Sequence, residues 1–82
     1  MEITKKYDYY KEVQDLIVRL KNMQLNVYVE SLQAAITNGS TGNEIVMALR
    51  WNLKKIIKDR KCTGVVLVKS KRLFNELNKI LK

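Results

Sequence analysis

The chain has 82 residues, a net charge of +8, no histidine and one cysteine, with 46% apolar and 29% charged residues. That length makes one small domain, and that balance supports a packed core beneath a charged surface rather than a disordered chain. The missing histidine removes the commonest general base, the usual zinc ligand and any Ser-His or Cys-His nucleophile pair, so no catalytic residues, metal or cofactor are expected.

Met1 to Tyr10 mixes charges and aromatics without the apolar stretch of a secretory leader. The longest unbroken aliphatic run, Val65 to Val68, is far short of a bilayer span, so no transmembrane segment is expected. A lone cysteine forms neither an internal disulfide nor a CxxC metal knuckle, and a cytoplasmic home follows as the expectation. Cys62 lies between Lys61 and Thr63, where cations lower a thiol pKa. With no partner base it reads as an ordinary loop or helix-end thiol.

Proline is absent, and Gly39, Gly42 and Gly64 with their polar neighbours are nearly the only breaks. Between them apolar residues recur every three or four positions, the period of a helix. The first helix is predicted over about Lys5 to Met23, with Tyr9, Tyr10, Val13, Leu16, Ile17, Leu20 and Met23 on one stripe. The second runs from about Val27 to Thr37, with Asn26 as its N-cap and Val29, Leu32, Ala35 and Ile36 inward. Asn38-Gly39 is expected to close it in the left-handed conformation that both residues tolerate.

Thr41-Gly42-Asn43-Glu44 has the form of a capping box, in which Thr41 and Glu44 each satisfy a free backbone amide. The third helix follows over about Gly42 to Arg60, with Ile45, Ala48, Leu49, Leu53 and Ile56 as its core stripe. Lys61 to Gly64 forms the last turn. A fourth helix over about Val66 to Leu81 carries Leu67, Leu73, Phe74, Leu77, Ile80 and Leu81, although Val65 to Val68 is β-branched enough to be extended instead. Short connections favour antiparallel neighbours, hence an all-α antiparallel four-helix bundle forming a single domain over residues 1–82. A core this small would gain stability from dimerisation or a bound partner, so a homodimer stays open.

Charge is not evenly spread. Up to Glu44 there are 5 basic and 6 acidic residues, whereas from Ile45 onward there are 11 basic and 2 acidic. If the last two helices pack antiparallel, Lys54, Lys55, Lys58, Arg60 and Lys61 come beside Lys69, Lys71 and Arg72, and a focused positive field attracts acidic proteins, nucleic acid or anionic lipid. At 100° per residue, Met47, Trp51, Lys54 and Lys58 fall opposite the core stripe of the third helix, with Arg50 and Lys55 at the flanks. A Trp and a Met among cations is the composition of a binding hot spot. A central helix covered on two sides would instead make Trp51 core. The candidate partner-binding set is Met47, Arg50, Trp51, Lys54, Lys55 and Lys58, supported by Lys61, Lys69 and Arg72.

In size, helical pattern and charge, the whole chain resembles the bacterial immunity proteins that protect a cell from a toxin or bacteriocin, some of which are basic four-helix bundles. The resemblance implies an immunity or antitoxin role by stoichiometric occlusion of a protein partner with an acidic surface. A second reading is nucleic-acid binding. Ala35, Gly39 and Ile45 have the spacing of a degenerate helix-turn-helix, whose recognition helix would present Asn43, Val46, Met47 and Arg50. A third is attachment to a membrane surface through Lys69, Lys71, Arg72, Lys79 and Lys82.

Overall fold

The computed structural model describes residues 8–80, which form four helices: α1 (Tyr9–Asn22), α2 (Asn26–Asn38), α3 (Gly42–Lys58) and α4 (Gly64–Ile80). Each helix packs on its two neighbours in the order α1, α2, α3, α4 and back to α1, which leaves α1 diagonally across from α3. The start of α2 meets the end of α3 through Tyr28 and Asp59, and the end of α1 meets the start of α4, where Arg19, Asn22 and Met23 line a depression with Thr63, Val65 and Val66. The chain is thus an antiparallel up-down bundle, as the short connections require. Among the described residues no helix is long and apolar enough to cross a membrane.

The core follows the helical period. Val13, Leu16, Ile17 and Leu20 of α1, Val29, Leu32 and Ala35 of α2, Ile45, Val46, Leu49, Leu53 and Ile56 of α3, and Val66, Leu73 and Leu77 of α4 are all buried. The α4 stripe is rotated from the expected one. Leu67 and Phe74 are only half-buried, Ile80 is exposed, and Val66, Ser70, Leu73 and Leu77 face inward. Val65 to Val68 is helical rather than extended, with Val65 and Val68 in solvent. The start of the first helix expected at Lys5, and Leu81 and Lys82 at the other end, lie outside the described residues.

Ser70 is fully buried and its hydroxyl has no hydrogen-bond partner. A buried, unpaired hydroxyl costs about 1–3 kcal/mol. Ser70→Ala is therefore expected to leave stability unchanged or raise it by up to about 1 kcal/mol in urea melts. A loss of that size would mean that the hydroxyl is paired in solution.

The helix ends depart from expectation in an instructive way. Asp8 caps α1 by accepting the Lys11 N–H at 3.2 Å. Left-handed closure occurs after α1 rather than after α2. Gln24 sits at φ 62°, its amide reaching the Lys21 carbonyl at 2.9 Å, and the Leu25 amide reaches the Leu20 carbonyl at 3.0 Å. Those two bonds are the Schellman pattern. Leu25 rather than Asn26 is the N-cap of α2, and no side chain caps it there.

Gly39 is extended (φ −73°, ψ 133°), so it is not required for a left-handed turn. It is required for space. A Cβ at position 39 would stand 2.4 Å from Ile45 Cγ1 and 3.2 Å from the Ala35 carbonyl oxygen. The left-handed glycine is Gly64, at φ 61° at the start of α4.

Tyr28 and Asp59 lock one end of the α2–α3 pair by a hydrogen bond of 2.5 Å, the phenol donating. That bond, with the Lys61 amide donating to the same carboxylate at 2.8 Å, holds Asp59 below the usual carboxylate range. Its contribution to stability is present above the unfolded value near pH 4 and fades as pH falls below it. The same bond, then burial, pushes the Tyr28 phenol up to about 12. Its contribution is complete below the unfolded value of about 10 and lost as pH rises from there towards 12. Tyr28→Phe should flatten that alkaline stretch of the stability–pH curve relative to the native chain. Equal slopes in both proteins would show that the bond does not persist in solution.

Candidate protein-binding face

The face begins with the cap of α3. Thr41 Oγ1 accepts the Glu44 amide at 3.1 Å, and Glu44 Oε1 accepts the Ser40 amide at 2.8 Å, one residue earlier than the usual capping box. Thr41 and Glu44 satisfy backbone donors and start α3 cleanly, which sets the rotation of the 17 residues that follow. With Leu49 and Ile56 fully buried, residues half a turn away must face solvent.

Trp51 is 60% exposed and Met47 is 56% exposed. Lys54, Lys55 and Lys58 are exposed beside them. The Lys55 ammonium lies 3.7 Å from the centroid of the Trp51 ring, close enough for a cation–π contact. Arg50 is half-buried on the α4 side, its guanidinium carbon 5.5 Å from the centroid of the Phe74 ring. Its Nε is sealed from solvent with no hydrogen-bond partner. Stacking on Phe74 thus fixes Arg50 along the α3–α4 seam without using the outer donors of its fork.

On its other flank α3 forms an open groove with α2, about 470 Å³ in volume, lined by Ala34, Ala35, Gly39 and Ala48 with Asn38 and Trp51. Small side chains keep the two backbones close, and the indole stands at the edge of the depression. Asn52 is buried at its base, donating from Nδ2 to the Ala48 carbonyl at 3.0 Å.

The candidate residues do not all share one surface. Met47, Trp51, Lys54, Lys55 and Lys58 share the outer side of α3, with Arg50 half-buried at its α4 edge. Lys69 does not join them, because its ammonium is held by Glu12 at 3.1 Å and Asp15 at 3.0 Å on α1. Asp15 also pairs with Arg19 at 3.1 Å, and the two cations hold its carboxyl below the ordinary range, Lys69 contributing most. Arg72, three positions after Lys69, is exposed and makes no ion pair among the described residues. Lys61 lies at the end of the bundle beside Gln24 to Tyr28.

The α4 cation on the α3 side is Lys71. It follows Leu67 by four positions and precedes Phe74 by three, on the stripe that reaches Arg50. Lys71 and the groove residues Ala34, Asn38 and Ala48 are absent from the set picked by sequence. Helical spacing alone would have placed Lys71, once Phe74 was known to face α3.

Cys62 is buried, and burial pushes its thiol up, with Asp59 adding to the shift and Lys61 opposing it only weakly. Position in the fold outweighs the neighbouring cation, so no thiolate is available near neutral pH. Among the described residues no three Cys, Asp or Glu side chains converge as a metal would need. No protein-family model, curated protein or solved structure matches the chain.

Proposed function

We propose that this chain is a non-catalytic, cytoplasmic binding protein of the immunity or antitoxin type, which occludes a protein partner by seating an acidic surface on α3. The carrying observation is Trp51, a large apolar side chain 60% exposed among cations. Leaving an indole in water forgoes the burial that stabilises a small core, and exposed Trp with Arg is the usual anchor of a protein interface. The cations of α3 supply the long-range field that steers an acidic partner towards it. A second copy of the chain would bring the same charge to this face, so the face suits a partner of opposite charge rather than a homodimer.

Nucleic-acid binding fits the geometry less well. Val46, one of the residues that would face the bases, is 2% exposed. α2 and α3 also run side by side, from Tyr28 against Asp59 at one end to Gly39 against Ile45 at the other. A helix-turn-helix needs its two helices to diverge by about 90–120°.

The test uses the full chain as bait in its own cells. The partner expected is an acidic protein that is retained by the native chain and by Lys21→Glu, a charge reversal on α1, but lost with Lys54→Glu and Lys58→Glu combined. Capture that survives the α3 reversals would remove this face. A salt-sensitive gel shift with duplex or single-stranded nucleic acid, or flotation with anionic liposomes, that is abolished by the same reversals would replace the protein partner with that ligand.

A further inference from the structure

We infer that Asn38 is a self-modifying site, converted in the folded protein to aspartate and isoaspartate through attack by the Gly39 backbone amide. The inference rests on the α2–α3 joint. It holds whether or not the binding face is correctly chosen.

The chemistry needs three things at once: an exposed asparagine, a following residue without a side chain in the way, and a backbone nitrogen that is not tied up. Asn38 is the last residue of α2 and is exposed. Gly39 presents no Cβ, and Ile45 and the Ala35 carbonyl leave no room for one, so the fold itself keeps this successor small. The Gly39 N–H, unlike the amides that follow α1 and α3, makes no backbone hydrogen bond.

Asn22 provides an internal contrast. It too is exposed and ends a helix, but its successor is Met23, whose amide is held by the Arg19 carbonyl at 3.2 Å and the Leu20 carbonyl at 3.1 Å. The remaining five asparagines, at 26, 43, 52, 75 and 78, precede Val27, Glu44, Leu53, Glu76 and Lys79. Each successor has a side chain that hinders ring closure. Asn52, Asn75 and Asn78 also lie within α3 and α4 rather than at a helix end followed by glycine.

The steps balance with water alone. The Gly39 nitrogen gives its proton to solvent base and bonds to Asn38 Cγ. The Cγ–Nδ2 bond breaks and ammonia leaves, forming a five-membered succinimide. Water then opens the ring at either carbonyl. One opening gives aspartate; the other routes the chain through Cγ and lengthens the backbone by one carbon. Nothing is oxidised or reduced.

Either product adds a second carboxylate to the lining of the groove beside Trp51, which Asn38 and Glu44 now share. The lengthened form also adds a backbone atom at the joint where Gly39 already touches Ile45. If α3 binds an acidic surface, as proposed above, the new negative charge weakens that binding with protein age.

The experiment is incubation of the folded, full-length chain at mildly alkaline pH, with peptide mapping over time. The expected result is a gain of about 1 Da, the exchange of NH2 for OH, at Asn38, at a rate about tenfold or more above every other asparagine. Isoaspartate should appear within the same peptide, and Asn38→Gln should abolish the gain. Reaction at Asn38 only when urea unfolds the chain would overturn the inference, since α2 would then be protecting the site. So would equal rates at Asn22 and Asn38. Modification at the expected rate with no effect on partner capture would leave the site standing and count against the binding face alone.

Discussion

Trp51→Ala is expected to weaken partner binding by about 2 kcal/mol or more, roughly 30-fold in Kd, while leaving the fold intact. The two halves of this result have separate causes. The indole is 60% exposed, so its removal opens no cavity, and folding loses chiefly a cation–π contact with Lys55 worth about 0.5–1 kcal/mol at an exposed site. In a complex the same ring would be desolvated, and truncation would then remove its whole buried area along with the surface that Lys55 packs on. Thermal melts and titration against the captured partner read the two halves independently. A variant that melts early yet binds normally once folded would assign Trp51 to stability and remove it from the face.

Leu49→Ala, two positions away on the same helix, should give the opposite pattern. Leu49 is fully buried at the middle of the α3 stripe, in one cluster with Leu16, Leu32, Leu53 and Leu73. Truncating a buried leucine forfeits its transfer energy and leaves a cavity that neighbours fill only in part, a loss of about 3–5 kcal/mol. An 82-residue domain has a total stability of only about 4–12 kcal/mol, so this variant should sit near the edge of unfolding. Urea denaturation with unchanged m-value is the measurement. A loss below about 1 kcal/mol would mean that the bundle repacks around the gap. The two substitutions together separate the faces of α3 by readout, though the exposed side chain removed is the larger.

Much of this was legible before any coordinate. Four helices and their order follow from the spacing of apolar residues, because a helix turns 100° per residue wherever it occurs. The same spacing puts Trp51 opposite the core stripe without deciding whether a neighbour covers it. The Thr41–Glu44 cap was legible too, since its bonds span only a few residues. What escaped were decisions made between distant residues. Phe74 reads as core, yet the rotation of α4 leaves it half-buried on the α3 side and seals Ser70 inside. Lys69 reads as one more cation of a basic patch, but Glu12, 57 positions earlier, and Asp15 neutralise it.

The chain by itself therefore determined the helices, their antiparallel order and the excess of positive charge in its C-terminal half, since each depends on local period, short connections or a simple count. The tertiary structure alone decided which cations remain unneutralised on one face, why position 39 must be glycine, and that Trp51 points outward. These are matters of which surfaces the four helices turn towards one another, and packing settles that rotation through contacts among residues far apart in sequence.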